Sequence, residues 1–482
     1  MTEEKIDTVT DDLTKEQEKR ATEKRQGDMI EKVIEVPAKV LEETIEIGKT
    51  VEKEVVEKGP IKTLNQYWRM LGPGLTTGAA DDDPSGIATY SQTGAIYGYK
   101  FLWLAPLSFP LMATVQEMCA RIGMVTGRGL AANIRRFFPR WVLIVCTVLL
   151  FIANTFNIGA DLGAMSEAVR LFCPNWDYFS LIVIIALIIM LLQIFTTYEK
   201  YAKYLKWLAL VLFSYVISTL LIKGLDWGEV YHSAIRPTFS FNKDEILIVT
   251  GALGTTISPY LFFWQTSQEV EEDIKNGLTT IELRQAKMKQ EDISRMRVDI
   301  WSGMFLSNLA MFFIITACGA TLHLSGITNI GSAAEAATAL RPLAGDYAYL
   351  LFAIGIIGVG ALGIPVLAGS SSYAIAESFG WKQGLHYKLR QAYAFYGVII
   401  ISLIIGVLIN LIGINAIKAL IYSAVLNGVV APVVLILILL LSSSKKLMGE
   451  RVNKIWAKIF GGLAVILMLF AAIMTIWSLL FK

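Results

Sequence analysis

Histidine is nearly absent from this chain: three residues in 482, His232, His323 and His386, all lying between apolar stretches and not within them. No apolar stretch therefore holds the one side chain that ordinarily titrates near neutrality and commonly ligates metals. The four cysteines, Cys119, Cys146, Cys173 and Cys318, show no paired spacing, so neither a disulfide framework nor a thiolate metal site is expected. Charge is scarce as well, at 17% of residues against about 25% in soluble domains. No apolar core follows the first methionine, so a signal peptide is not expected. Paired catalytic constellations, phosphate loops and basic aromatic stripes are missing, which argues against an enzyme, a resident cofactor and a nucleic-acid partner.

What remains is apolar: 54% of the chain is hydrophobic. Many separate apolar windows reach about 20 residues, the length a helix needs to cross a bilayer. The fold class expected is all-α, a polytopic membrane protein embedded in lipid. Eleven spans are read, over 72–96, 101–126, 141–172, 179–198, 202–223, 244–270, 298–322, 346–378, 391–413, 416–442 and 455–481. Residues 1–65 form a charged segment, 66–450 a core of ten spans, and 451–482 hold the eleventh. The first 60 residues contain 17 acidic and 11 basic side chains. Between Met29 and Val56 apolar residues recur at three- and four-residue steps, the pattern of an amphipathic helix broken near Pro37. Basic residues gather in alternate loops, among them Arg128, Arg135, Arg136, Arg284, Arg297, Lys445 and Lys446. The opposite loops hold fewer, including Lys100, Arg170, Lys223 and Arg236. Positive residues mark the cytoplasm, which places the N-terminus inside and the C-terminus outside a cell membrane.

Two spans carry breaks. The first contains GAADDDPSGIATY, from Gly78 to Tyr90, and the sixth contains TTISPYLFFWQTSQE, from Thr255 to Glu269. Proline removes a backbone donor and frees carbonyls, which hydrocarbon tolerates only where they are buried in protein or line a wet cavity. Pro84 and Pro259 fall five spans apart, at matching places in spans 1–5 and 6–10. Matched interruptions point to an inverted-repeat transporter with its site at the midplane. An aspartate there costs about 2.5–3.5 kcal/mol on insertion scales and is rarely idle. Asp83 beside freed carbonyls and hydroxyls, with no His, Cys or Met at either break, is an oxygen environment suited to hard divalent cations.

The stretch from Gly72 to Thr89 resembles the first transmembrane segment of the Nramp family of divalent metal transporters, with its GPG opening, DPGN motif and IAT. QEMCARIGMVTGRGLA (Gln116–Ala131), TTISPYLFFWQTS and SSSKKLMGE (Ser442–Glu450) are similar to its second helix and loop, its sixth helix and its tenth-helix exit. The resemblance implies a leucine-transporter-type fold: two inverted five-helix repeats, broken helices 1 and 6, an eleventh helix, and alternating access. It places the family's metal-binding Asp on Asp83, with Gly86 where the family has Asn. Backbone carbonyls at Ala80 and Thr255 complete the implied set. Ser258 stands where the family has its Met ligand, and Tyr260 and Gln265 where it has two histidines.

Losing the soft sulfur and both imidazoles points to the Nramp-related magnesium transporters, importing Mg²⁺ and also Mn²⁺ with weak or absent proton coupling. The competing readings are a proton-coupled Mn²⁺/Fe²⁺ importer and a sodium-coupled amino-acid transporter, the latter disfavoured because Asp83 would repel a substrate carboxylate. Asp161 and Glu167 are the alternative proton carriers. Asp82, Tyr260, Gln265, Glu269 and Asn427 are candidates for lining the cavity or inner vestibule. Glu117 and Asp299, near helix ends, are expected in salt bridges. Oligomeric state is not legible.

Overall fold

The computed structural model describes residues 72–196, 213–328, 330–331, 333–337, 345 and 348–480. The charged N-terminal segment, with its expected amphipathic helix over 29–56, and much of the fifth span lie outside the described residues.

Among the described residues every secondary-structure element is a helix. The first span is two helices, α1 (Pro73–Asp81) and α2 (Pro84–Tyr97). Then follow α3 (Leu104–Thr126), a short α4 (Leu130–Phe137), α5 (Arg140–Arg170), α6 (Tyr178–Phe195), α7 (Phe213–Leu220) and a loop helix α8 (Trp227–Ile235). The sixth span is also two helices, α9 (Lys243–Thr256) and α10 (Pro259–Lys275). After α11 (Ile281–Lys287) come α12 (Gln290–Cys318), α13 (Ala333–Ala337), α14 (Ala348–Phe379), α15 (Tyr393–Ile409), α16 (Ala416–Ser443), α17 (Lys445–Met448) and α18 (Ile455–Leu480). Among the described residues eight spans are long and apolar enough to cross a membrane. The other three are the divided α1–α2, α3 with its Glu117 and Arg121, and α7, of which eight residues are described.

The two breaks share one backbone pattern. Asp82 (φ −89°, ψ 46°) ends α1, and Asp83 (φ −62°, ψ 173°) precedes Pro84. Ile257 (φ −107°, ψ 61°) ends α9, and Ser258 (φ −84°, ψ 131°) precedes Pro259. A residue before proline is pushed to extended geometry, and proline itself suits the first position of a new helix. Each X-Pro pair therefore stops one helix and starts the next. The broken helices meet near the middle of the bundle, where α5 packs against α14, α15 and α16, and α9 packs against α2 and α16.

The start of α1 is held from a distance. Asp299 on α12 accepts hydrogen bonds from the backbone N–H groups of Gly72 (2.7 Å), Gly74 (2.7 Å) and Leu75 (3.1 Å). These amides have no partner within their own helix, so a side chain of α12 supplies the cap. A salt bridge is the expectation for Asp299; the described residues add a second role, the cap of three amides at the start of α1. The same face of α1 is glycine-lined for close approach: a Cβ at Gly74 would lie 2.7 Å from the Ile300 nitrogen. Glu117 meets the expectation, pairing with Arg297 (2.8 Å) and also accepting from Trp301 Nε1 (2.9 Å). Asp299→Ala strands three buried or half-buried amides, a loss of about 1–3 kcal/mol. The melting temperature of the solubilised protein is expected to fall, and an unchanged value would remove this anchoring role.

Candidate functional site

Asp83 sits at the N-terminus of α2 with its side chain turned back onto the helix. Oδ1 accepts from the Gly86 amide (2.9 Å) and the Ser85 hydroxyl (2.6 Å). This is an N-cap, the arrangement that satisfies an otherwise orphaned amide at a helix start. Oδ2 accepts from Asn157 Nδ2 on α5 (2.9 Å) and from the Tyr260 hydroxyl on α10 (3.3 Å). Four donors thus converge on one fully buried carboxylate, replacing the hydrogen bonds that water would give it.

The freed carbonyls are met from nearby. The single Tyr260 proton is shared with the Ala80 carbonyl, which is nearer at 2.9 Å, so one hydroxyl closes α1 and touches Asp83. At the second break Ser258 does not cap α10; its hydroxyl donates back to the carbonyls of Gly254 (2.6 Å) and Thr255 (2.7 Å). Gly86 faces α9, where a Cβ on it would lie 3.2 Å from Thr255 Oγ1. That Thr255 hydroxyl has no hydrogen-bond partner. A side chain at position 86 would point at it, and glycine leaves the space open.

The other candidates divide. Asp161, four residues beyond Asn157 on α5, is fully buried with neither carboxylate oxygen hydrogen-bonded. It stands beside Asp83 across Gly363 of α14, whose added Cβ would lie 2.9 Å from Asp83 Cβ and 4.0 Å from Asp161 Oδ2. Asn427 on α16 is buried with both amide atoms unpartnered, one turn beyond Ser423, which donates to Asn157 Oδ1 at 2.7 Å. Gln265 lies elsewhere: it bonds Thr77 of α1 (2.5 Å) and Glu269 (2.8 Å), tying α10 to α1 on the far side of the break. Glu167 lines a small hollow with Ile87 and Ser91. Asp81 accepts from Ser307 of α12 (2.5 Å), whereas both oxygens of Asp82 are buried without a partner.

Asn157, Ser423 and Ser307 were not among the sequence candidates. Asn154, Asn157 and Asp161 recur at three- and four-residue steps on one face of an apolar helix. That stripe was the available signal for two of α5's polar contacts.

A family model described as natural resistance-associated macrophage protein-like matches residues 74–478, nearly all of the described chain. The chain belongs to the Nramp family. Its relatives include the divalent metal cation transporter MntH of Caldanaerobacter subterraneus, 25% identical over 407 residues that cover 83% of this chain and 90% of the relative. The MntH of Erwinia tasmaniensis is 23% identical over 425 residues, covering 88% and 96%. A solved Eremococcus coleocola manganese transporter superimposes with a TM-score of 0.66 at 19% identity, covering 87% of this chain and 88% of that one. The structure of Mhp1, a nucleobase-cation-symport-1 family transporter, superimposes at 0.52 with 13% identity, covering 85% and 92%. This Nramp chain therefore has the leucine-transporter-type fold, with its first and sixth spans broken.

Proposed function

We propose that this Nramp protein is a divalent metal ion transporter that carries Mg²⁺, with Mn²⁺ as a second substrate, by alternating access. The observation that carries this reading is the chemistry around Asp83: carboxylate, hydroxyl, amide and carbonyl groups, with Ser258 where the family resemblance places a thioether. Oxygen ligands suit Mg²⁺ and Mn²⁺, and the missing sulfur removes a preference for softer ions. Asp83 is the anchor ligand in this reading. The Ala80 and Thr255 carbonyls, Ser258 and the space beside Gly86 complete the site once Tyr260 and Ser258 release the carbonyls they now hold. Asp82, Tyr260 and Asn427 line the cavity, and Gln265 and Glu269 the inner vestibule. Mg²⁺ sheds water reluctantly, and the glycine at position 86 leaves room for retained waters.

The protein lies in the cell membrane with its N-terminus cytoplasmic, following the loop asymmetry in basic residues. The sequence places every histidine outside the spans; in the fold the helical turn Gly319–His323 extends the span from Gln290, so one imidazole sits at a span's extreme end, bonded to the Ala95 carbonyl (2.9 Å). No histidine lies at either break, and uptake in this reading runs on the membrane potential, about 4.6 kcal/mol for a divalent ion per 100 mV. Mg²⁺ uptake by proteoliposomes of the full-length protein under an inside-negative potential tests this; transport of Mn²⁺ without Mg²⁺ would overturn it.

One observation favours a second reading, a proton-coupled Mn²⁺ importer: Asp161 is a second buried carboxylate beside Asp83. The two separate at Asp161→Asn. Uncoupled transport is expected to leave the pH dependence of uptake unchanged in this variant. Loss of pH dependence together with loss of lumenal acidification would establish Asp161 as a proton carrier.

A further inference from the structure

Far from Asp83, at the end of the bundle where basic residues gather, α4, the start of α5 and the end of α14 enclose a cavity of about 450 Å³. Its wall is apolar, formed by Leu143, Ile144, Val148, Phe151 and Phe379, and its mouth carries Arg135 and Arg140. Ligand cavities of about 300–1,000 Å³ with apolar walls and a few polar groups are the usual binding size. The outer face of α5 here is lipid-facing in character: Trp141, Ile144 and Val148 are 68%, 56% and 49% exposed. Phe379 stacks on Trp381 at 4.8 Å, and exposed Trp141 and Trp381 mark the level of the membrane–water interface. The cavity therefore opens at headgroup depth, with its apolar part extending toward the acyl chains.

Its charge is uncompensated. Among the described residues neither arginine is ion-paired, and Arg135 makes only a long bond of 3.4 Å to the Glu377 carbonyl. The Glu377 carboxylate is committed elsewhere, to the Ala132 amide (2.9 Å), Gln383 (3.1 Å) and Ser267 (3.4 Å). An adjoining hollow of about 620 Å³ shares Arg135 and adds Arg128, Arg136 and Lys382, four basic residues against the one carboxylate of Glu377. Two guanidinium groups without an ion-pair partner over an apolar slot match a phosphodiester carrying acyl chains, because guanidinium forks pair with phosphate oxygens. Basic pockets between membrane helices bind anionic headgroups in this way.

We infer that this cavity is a binding site for an anionic phospholipid, its phosphate held by Arg135 and Arg140 and one acyl chain lying along Ile144, Val148, Phe151 and Phe379. The site is distinct from the Asp83 region and independent of which ion is carried. The lipid joins α4 and α5 to the end of α14, a helix that also packs directly against Asp83 through Gly363.

The test is native mass spectrometry of the full-length protein with added phosphatidylglycerol or phosphatidylcholine of identical acyl chains. One phosphatidylglycerol should be retained at least about tenfold more strongly than phosphatidylcholine. Arg135→Gln with Arg140→Gln should erase that preference, and the paired Lys variant should keep most of it. Val148→Trp, which fills the slot and leaves both arginines, should also lose the lipid. Equal retention of the two lipids, an unaffected Gln variant, or full displacement by inorganic phosphate would each overturn the assignment. Melting temperatures of all variants separate lost binding from lost fold.

Discussion

Asp83→Ala is expected to abolish divalent-ion uptake. The carboxylate is the charged group at which α2, α5 and α10 converge, through the Gly86 amide, Asn157 and Tyr260. Its loss removes the proposed anionic ligand and the cap of α2 together. Changing residues that merely orient metal ligands typically costs about 10–100-fold in affinity, so loss of the anchor itself should exceed about 100-fold. Asp83→Asn separates the two roles. The amide oxygen can still accept from Gly86, preserving the cap, while the charge is gone. Its NH₂ would then face the Asn157 and Tyr260 donors, so the Asn variant should fold with a lowered melting temperature and still fail to transport. Substantial Mg²⁺ flux in either variant would remove Asp83 as the anchor.

Ser258→Met should change the choice of ion more than any other single substitution. The serine hydroxyl now donates to the Gly254 and Thr255 carbonyls, and methionine replaces it with a soft sulfur that cannot donate. The one hydroxyl proton shared between these carbonyls goes, at about 1 kcal/mol, a cost common to every ion. The sulfur then acts selectively, because Mg²⁺ gains nothing from a thioether and softer ions do. The ratio of Mg²⁺ to Mn²⁺ uptake is expected to fall by roughly tenfold, a difference of about 1.4 kcal/mol. Equal losses for both ions would show that softness does not govern selection at this position.

Much of this architecture was legible because proline is a local signal with a local consequence. Pro84 and Pro259 fixed both breaks from sequence alone, and the backbone angles at Asp82–Asp83 and Ile257–Ser258 follow the same pattern. The candidate groups were legible as residue types, but their partners were not. Ser258 and Tyr260 read as open oxygens in the sequence; in the fold they hold carbonyls that the prolines free. Gln265 sits at helical spacing after the break, yet its contact is Thr77 on a helix almost two hundred residues away in sequence. Asn157 was overlooked because a single amide in a long apolar helix can face several neighbours, and only packing selects Asp83.

The run of three aspartates shows the same division. Chain position alone distinguished Asp83 as the residue before proline. Rotation about α1 then separates its neighbours, bringing Asp81 to Ser307 on α12 and leaving Asp82 buried without a hydrogen bond. Asp299 is a parallel case: a carboxylate near a helix end suggests an ion pair, and only the fold shows that it also receives the unpaired amides at the start of α1.

The most direct measurement of the central claim records Mg²⁺ entry and lumenal pH together in proteoliposomes of the full-length protein. With an inside-negative potential imposed, Mg²⁺ uptake should rise with the potential while the lumenal pH stays constant. Acidification in proportion to metal entry, or uptake confined to Mn²⁺, would contradict an uncoupled magnesium carrier built around Asp83.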